Sequence, residues 1–280
     1  HLYNLDMEKP RPLAPRRLRM EVRERIDIHG QVQTPLDETD LVSAIEELKK
    51  SGVSAVAICF LHAYQNSTHE RQARALLRRM FPQTLITVSS EVLREFREYE
   101  RFSTTALNAA LLPVMHHYLD NLGRQVRRFG IAYRPRISAS YGSAVSLSWA
   151  KATPIATLAS GPSAGVIGAA AVASAAGFSD IITLDMGGTS TDVCLVRDGS
   201  PLISREREMG GRPIVAPSVD VHSVGTGGGS LLWIDEGGFL QVGPESAGAF
   251  PGPACYNTGG NRPTVTDANV LAGRLSPTRA

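Results

Sequence analysis

Hydrophobic and polar residues alternate with two different periods in the first third of the chain. Between residues 37 and 52 the apolar positions recur every three or four residues, which places Leu41 and Ile45 on one face of a helix. The next stretch, "SAVAICFL", is a continuous apolar run typical of a strand buried on both faces in a parallel sheet. A second helix over about residues 68–80 and a second strand over 85–89 follow. This order of elements predicts a βαβ unit.

The pattern then changes. Residues 100–129 have helical periodicity but contain Pro113, which predicts a kink or a break in that helix. A strand near residues 136–140 and a small-residue helix over 163–176 come next. From residue 180 onward the chain alternates between strands and glycine-rich turns, with few helical signals. The sequence therefore predicts an α/β protein whose second part is rich in strands.

Composition limits the class of function. The chain has 280 residues and a formal net charge of +2, so bulk electrostatics do not indicate a nucleic-acid-binding protein. Cys59, Cys194 and Cys255 are odd in number and far apart, so they predict neither a disulfide framework nor a CxxC metal site. The longest mostly apolar run, "GVIGAAAVASAAGF", is shorter than the roughly 20 residues that span a bilayer. We therefore expect a cytoplasmic protein with neither nucleic acid nor membrane as a partner.

The stretch "ITLDMGGTSTDVCLV" places a polar turn between two apolar strands. Its two glycines allow the backbone to point successive N–H groups at one spot, and such a ring of amides binds phosphate. The flanking carboxylates can hold a Mg²⁺ ion that bridges phosphates, or orient an attacking water. The candidate residues for a phosphate and magnesium site are Asp185, Gly187, Gly188, Thr189, Thr191 and Asp192. A polar hairpin turn without a ligand is the alternative.

A second glycine-rich turn lies in "VDVHSVGTGGGSLLWID" and allows close approach of the backbone to a ligand. Its glycines are Gly225, Gly227, Gly228 and Gly229. Two such turns in one sheet region favour a shared cleft. Asp220 and His222 are two residues apart, hence on one face of a strand, and they are candidate metal ligands together with Asp185. A hydrogen-bonded pair without a metal is the alternative for Asp220 and His222, because no third ligand is evident for them.

The sequence lacks the common nucleotide-binding loops but contains one motif typical of hydrolases. No lysine follows a glycine, which excludes a Walker A loop, and "GTGGGS" lacks the last glycine of a GxGxxG fingerprint. The segment "GPSAG" around Ser163 matches the nucleophile elbow of serine hydrolases, lies after the strand-like "IATLA", and is followed by aspartates and His222 in hydrolase order. Pro162 is awkward for such a strained turn, and the alternative is a helix start capped by a serine.

Two groups near the end of the sequence have more than one interpretation. Cys255 in "PGPACY" has no basic residue close in sequence, so a buried thiol is favoured over a nucleophile. Asp267 and Asn269 either reach the cleft or cap the helix that begins near them.

Five ordered motifs resemble the hydantoinase A/5-oxoprolinase family: "ASGPSAGVIGAA", "DMGGTSTDV", "VDVHSVGTGGGSLLWID", "VGPESAGAFPGPACY" and "PTVTDANVLAGRL". The runs "APRRLRMEVRERIDIHGQVQTPLD" and "REFREYERFSTTALNAALLPVM" also fit, so the resemblance covers nearly the whole chain. That family includes N-methylhydantoinases and the ATP-using subunits of acetone and acetophenone carboxylases. It belongs to the actin-like ATPases, whose ribonuclease-H-like domains hold ATP between two phosphate hairpins.

The resemblance implies that Asp185 to Asp192 form the second phosphate hairpin, with Asp185 and Asp192 catalytic, and that the turn from Gly225 is a further cleft loop. It implies ATP and Mg²⁺, or another divalent metal, as cofactors. The implied reaction is ATP-dependent opening of a cyclic amide, such as a hydantoin or 5-oxoproline, through a phosphorylated intermediate. An ATP-using carboxylase subunit is the alternative within the family, and a non-catalytic oligomerising scaffold is the alternative outside it. The implied partners are a small cyclic amide or ketone and a second, hydantoinase B-like subunit or domain.

In domain terms, the resemblance implies that residues 1–118 are the remnant of an N-terminal α/β domain. Residues 119–280 are then the start of an actin-like ATPase domain with a ribonuclease-H-like half-domain. No Asp-x-Gly-Gly occurs before residue 185, although family chains open with such a hairpin and continue well beyond the last motif present here. We therefore expect an internal piece that holds half of a nucleotide cleft and is inactive by itself.

Overall fold

The computed structural model describes residues 11–276, so the outer ends of both predicted domains, residues 1–10 and 277–280, lie outside the described part. The chain forms two compact units, one up to Ser160 with Ser204–Ser218, the other Gly161–Ile203 with the residues from Val219 onward. In chain order the helices and strands are β1 (Arg25–Ile26), β2 (Val32–Thr34), α1 (Glu38–Lys50), β3 (Ala55–Ile58), α2 (Thr68–Met80), β4 (Leu85–Val88), α3 (Ser89–Val92), α4 (Glu98–Arg128), β5 (Arg136–Ser138), β6 (Ala144–Ser146), α5 (Leu147–Ala152), α6 (Ser160–Ala175), β7 (Ile181–Met186), β8 (Thr191–Arg197), β9 (Ser200–Pro201), β10 (Ile203–Met209), β11 (Arg212–Val219), β12 (His222–Val224), β13 (Ser230–Ile234), β14 (Leu240–Ser246) and α7 (Val265–Leu271).

The predicted βαβ unit forms the centre of the first unit. Strands β3 and β4 pair in parallel, in register from Ala55 with Leu85 to Ile58 with Val88. The carboxylate of Asp37 accepts the N–H groups of Thr39 and Asp40 and so caps the start of α1. Apolar side chains from α1, α2 and both strands then meet in one core, whose buried members are Leu41, Ile45, Ile58, Ala73, Leu76, Leu77, Phe81 and Val88.

Helix α4 continues through Pro113, so the predicted break of the helix does not occur there. The first turns of α4 bury polar side chains, with Arg101, Thr104, Thr105 and Asn108 all fully buried, and apolar buried residues, Ala109, Leu112 and Leu119, follow them. The amide nitrogen of Asn108 donates to the hydroxyl of Thr87 in β4 and to the carbonyl of Ala152, each at 3.1 Å. The hydroxyl of Thr104 accepts the N–H of Val215 at 3.0 Å. The first half of α4 is therefore held within the first unit by hydrogen bonds of buried polar side chains, and the following part also buries apolar ones.

The backbone of Phe60 joins two buried charges in the first unit. The carboxylate of Glu70 accepts the N–H of Phe60 at 3.2 Å, and the guanidinium of Arg101 donates to the carbonyl of Phe60 at 2.9 Å. Ser89 and Ser90 donate further hydrogen bonds to Glu70. The loop that follows β3 is therefore fixed at Phe60, whose N–H is held by the Glu70 side chain and whose carbonyl is held by the Arg101 side chain.

The second unit is built on an antiparallel sheet in the order β12-β8-β7, with β9 beside β8. One face of this sheet packs against α6, and the buried residues of that cluster are Val166, Ala170, Cys194, Val196 and Val219. On the opposite face, Ile182 and Leu184 of β7 are 71% and 68% exposed. The two apolar runs predict paired strands, which β7 and β8 are, and the described residues cover one face of the sheet.

Three further features concern the border between the units and the short elements of the first unit. The proposed border between residues 118 and 119 falls inside the continuous helix α4, and the division into units follows Ser160 instead. The strand-like "IATLA" forms a 3-10 turn, Pro154–Thr157, because Pro154 begins it. The alternating run "RLRMEVRERIDI" contributes the short strand β1, paired with β2. Among residues 11–276 no helix is both long and apolar enough to cross a membrane.

Candidate phosphate-binding hairpin

Strands β7 and β8 form the predicted hairpin, and its tip is the turn from Gly187 to Ser190. The N–H of Gly187 donates to the carbonyl of Ser190 at 2.8 Å and closes the turn. In the strand register Asp185 lies directly opposite Asp192, and Asp192 lies directly opposite Ser223 of β12. Because opposed residues of antiparallel strands share a face, these three polar side chains form one row across the sheet.

The second glycine-rich turn packs backbone to backbone against this tip. The N–H of Gly228 donates to the carbonyl of Gly187 at 2.9 Å, and the N–H of Gly229 donates to the carbonyl of Gly188 at 2.7 Å. The N–H of Gly227 donates to the hydroxyl of Ser230 at 2.8 Å. The amides of Gly227, Gly228 and Gly229 are therefore used within the chain, and the predicted part of this turn in a ligand cleft stays a prediction.

The space available for a side chain also separates the glycines packed between the two turns from those that face open space. A Cβ added to Gly227 would lie 2.6 Å from the carbonyl oxygen of Gly187, and one added to Gly229 would lie 2.9 Å from that of Gly188. Real Cβ atoms do not approach so closely, so these positions require glycine. A Cβ on Gly188 or Gly225 would meet nothing within 4 Å. Gly188 thus faces open space on the side away from the packed loop.

The same geometry determines where the free amides of the tip point. In a trans peptide the C=O and the following N–H point in opposite directions. Since the carbonyls of Gly187 and Gly188 are directed at the loop, the N–H groups of Gly188 and Thr189 are directed away from it. Within residues 11–276 these two N–H groups, and that of Ser190, donate to no other residue. The tip therefore presents consecutive unpaired amides on its exposed side.

Other side chains fix the turns to each other, and sequence reasoning missed most of them. The hydroxyl of Thr191, which was predicted to face phosphate, donates to the carbonyl of Thr226 at 2.7 Å. Thr266 donates to the carbonyl of Gly228 from both its N–H and its hydroxyl, each at 2.8 Å. The carbonyl of Gly229 accepts the N–H of Ala247 at 2.8 Å. In the sequence, only the spacing of the glycines indicated that the two turns pack closely.

Asp267 caps α7, which decides between its two predicted roles. Its carboxylate accepts the N–H and the hydroxyl of Thr264, each at 2.8 Å, and the N–H of Cys255 at 2.7 Å. Burial alone would raise the pKa of Asp267, but the hydrogen bonds from Cys255 and Thr264 outweigh it and lower the pKa to about 2. Burial and the neighbouring Asp267 raise the pKa of the Cys255 thiol, which makes it a poor nucleophile.

His222 Nε2 and Asp220 Oδ2 lie 3.7 Å apart, which is within ion-pair distance but too long for the hydrogen bond of the alternative interpretation. His222 lies opposite Val193, whereas the next residue, Ser223, lies opposite Asp192. Successive residues of a strand point to opposite faces, so His222 and Asp185 are on opposite faces of the sheet. The structure does not bring these two candidate metal ligands together. In the described part of the chain no three His, Cys, Asp or Glu side chains form a metal-binding cluster.

Comparison with known proteins identifies the chain's relatives. The model of the hydantoinase/oxoprolinase family matches residues 101–279, and the model of the hydantoinase/oxoprolinase N-terminal region matches residues 1–81. The chain belongs to the hydantoinase/oxoprolinase family. The two matched regions leave residues 82–100 between them, which contain β4, α3 and the start of α4.

Two relatives of this family have solved structures. The chain is 37% identical over 276 residues to the caprolactamase subunit alpha of Pseudomonas jessenii. The crystal structure of that ATP-dependent caprolactamase gives a TM-score of 0.80 over 98% of this chain and 40% of the caprolactamase chain. The nucleotide-free structure of acetone carboxylase gives a TM-score of 0.78 at 30% identity, over 96% of this chain and 38% of that chain.

A third relative is the 5-oxoprolinase of Saccharomyces cerevisiae, which is 35% identical over 86% of this chain and 18% of its own length. The chain thus spans about two fifths of the length of the caprolactamase subunit and less of the 5-oxoprolinase. These likenesses show a mixed α/β fold shared with acetone carboxylase and caprolactamase.

Family membership and geometry together disfavour the serine-hydrolase alternative. Ser163 lies inside α6, which begins at Ser160, and it is fully buried. A nucleophile elbow needs an exposed serine on a turn between a strand and a helix, and the segment before α6 is a 3-10 turn. The "GPSAG" motif is therefore the start of a packed helix.

Proposed function

We propose that the protein uses Mg²⁺ and ATP to open a cyclic amide, and that the β7–β8 tip binds the phosphates. The observation that carries the proposal is the pair of unpaired N–H groups of Gly188 and Thr189, which point away from the packed loop. Such consecutive amides form an anion-binding concavity. The ATP-dependent caprolactamase, 37% identical to this chain, supplies the reaction class.

The residues at the tip fit a magnesium–phosphate group. Gly188 is exposed and has no side chain that would keep a phosphate at a distance, and Thr189 adds an exposed hydroxyl donor. Asp185 and Asp192 face each other across the hairpin, and like charges so placed repel. A divalent cation between the carboxylates and the phosphates relieves that repulsion. Mg²⁺ is usually bound by one or two carboxylates together with phosphates and water, so a dedicated cluster of ligands is not required.

Transfer of the terminal phosphoryl group of ATP to the amide oxygen of the ring, with release of ADP, would make the ring carbon open to attack by water. In this chain the free amides of the tip hold phosphate oxygens, and Asp185 and Asp192 hold the cation or orient the water. Loop 225–230 keeps the tip rigid, because its N–H groups lock the carbonyls of Gly187 and Gly188. We further propose that the second unit contributes to a ribonuclease-H-like ATPase domain and that the active protein works with a second subunit.

A carboxylase subunit is the second candidate. The observation that favours it is the likeness to acetone carboxylase, with a TM-score of 0.78 over almost the whole chain. The phosphate site is the same in both candidates, and they differ in the acceptor that is activated: an amide oxygen in one and the enolate oxygen of a ketone in the other.

The test measures phosphate release by the protein at its natural full length, mixed with ATP and Mg²⁺ and offered lactams, hydantoins and 5-oxoproline. Release stimulated by a cyclic amide, with formation of the ring-opened acid, supports the hydrolase. Release stimulated by a ketone, with fixation of labelled bicarbonate, supports the carboxylase. Absence of nucleotide binding under all conditions contradicts both and leaves the scaffold interpretation.

A further inference from the structure

The row of Asp185, Asp192 and Ser223 contains a contact that the glycine motifs do not predict. Ser223 lies opposite Asp192 in the β12–β8 register, and its hydroxyl donates a short hydrogen bond to Asp192 Oδ1. Within residues 11–276 the other oxygen, Asp192 Oδ2, accepts no hydrogen bond and forms no ion pair. One oxygen of this carboxylate is therefore held while the other is available.

Asp192 and Ser223 also differ in accessibility. Asp192 is half-buried beneath the tip, whereas Ser223 is exposed on β12. A bond from the neighbouring strand restricts rotation of the short aspartate side chain and sets the direction of its second oxygen. Asp185, on the other side of Asp192, has no hydrogen-bonding partner of this kind among the described residues.

We propose that Ser223 is a positioning residue for Asp192 at the hairpin, an inference that rests on the proposed function. By holding Oδ1, the Ser223 hydroxyl aims Oδ2 at the cation that accompanies the phosphates. Groups that orient a metal-binding side chain in this way typically change metal affinity by about 10- to 100-fold when they are removed. Ser223 therefore controls the concentration of Mg²⁺ at which the nucleotide binds.

A purely structural role for Ser223 predicts something different. A hydrogen bond between neighbouring strands that only stabilised the sheet would change the free energy of unfolding and leave the Mg²⁺ requirement unaltered. Dependence of ATP binding on Mg²⁺ concentration therefore separates a positioning role from a structural one.

The experiment titrates ATP into the protein at its natural full length by calorimetry, at a series of fixed Mg²⁺ concentrations. For Ser223→Ala we expect the half-saturating Mg²⁺ concentration to rise about 10-fold. Ser223→Thr keeps the hydroxyl on a residue that suits a strand, so we expect a value close to that of the unaltered protein.

Ser179→Ala is the matched control. The hydroxyl of Ser179 also donates to a neighbouring carboxylate, Asp180 Oδ2 at 2.8 Å, on an exposed part of the same unit before β7. An unchanged Mg²⁺ requirement in Ser223→Ala, equal to that of Ser179→Ala, overturns the positioning role while leaving the proposed function intact. Absence of ATP binding by the unaltered protein at every Mg²⁺ concentration overturns both.

Discussion

The carbonyl oxygen of Gly188 accepts the N–H of Gly229 at 2.7 Å, and this contact gives the two glycine-rich turns opposite roles. In loop 225–230 the N–H groups of Gly228 and Gly229 donate to carbonyls of the hairpin, and this close packing requires glycine. The hairpin tip keeps its own amides free on the other side. One turn is therefore a support and the other is the candidate ligand site.

Alanine substitutions distinguish the packed side from the open side. Gly227→Ala places a Cβ 2.6 Å from the carbonyl oxygen of Gly187, so we expect it to lower the free energy of unfolding by about 2 kcal/mol. Gly188→Ala meets nothing within 4 Å and should change it by less than about 0.5 kcal/mol. Urea denaturation measures both, and equal losses in the two variants would contradict the assignment of sides.

The two faces of the β7–β8 hairpin should also respond differently to truncation. Val196 is 1% exposed in the cluster beneath α6, so Val196→Ala should cost about 2 kcal/mol of unfolding free energy. Leu184 is 68% exposed on the opposite face, and Leu184→Ala should cost less than about 0.5 kcal/mol. Thermal denaturation of the two variants tests this. A large loss in Leu184→Ala would mean that the outer face is buried in solution.

Asp267 makes stability depend on acid pH. Its pKa is lowered from 3.8 to about 2 in the folded protein, so the ionised carboxylate stabilises the fold above about pH 4. That contribution is lost as the pH falls from about 4 to about 2, and after allowance for solvent screening it is about 1 kcal/mol. Asp267→Asn should be less stable at neutral pH and should lack this part of the acid transition. Urea denaturation at a series of pH values measures it, and identical pH profiles for the variant and the unaltered protein would refute the cap's electrostatic role.

The loop after β3 should depend on the buried charge of Arg101. Arg101→Met removes the bond to the carbonyl of Phe60 and leaves that carbonyl without its charged donor, so we expect a loss of about 2 kcal/mol in unfolding free energy. Arg16→Met is the control, because Arg16 pairs with Glu21 on the surface and such pairs contribute less than about 1 kcal/mol. Comparable small losses in both variants would show that the contact at Phe60 is dispensable.

The sequence predicted those parts of the molecule that depend on local pattern. Helix α1 follows from apolar periodicity, β3 follows from a continuous apolar run, and the β7–β8 hairpin follows from two apolar runs around a glycine turn. The resemblance to the hydantoinase/oxoprolinase family, carried by five ordered motifs, is confirmed by the family models. The roles of the individual site residues stay predictions.

Features that depend on contacts between residues far apart in the sequence could not be predicted from local pattern. Glycine spacing marks both turns as suited to close approach, but only the contact between Gly188 and Gly229 shows which turn packs and which stays open. The first half of α4 buries polar side chains, which an apolar pattern does not predict, because Asn108 finds its partners in β4 and at the end of α5. The faces of Asp185 and His222 follow from the strand register, which the sequence spacing does not specify.

The most direct test of the phosphate site is calorimetric titration of Mg·ATP into the protein at its natural full length, compared with Gly188→Ala and Asp185→Ala. The account predicts that Gly188→Ala weakens binding at least about 10-fold without loss of stability, because its Cβ enters the side from which phosphate approaches the free amides. Asp185→Ala should weaken binding through loss of the cation. Binding by Gly188→Ala that equals that of the unaltered protein would contradict the placement of phosphate at the β7–β8 tip.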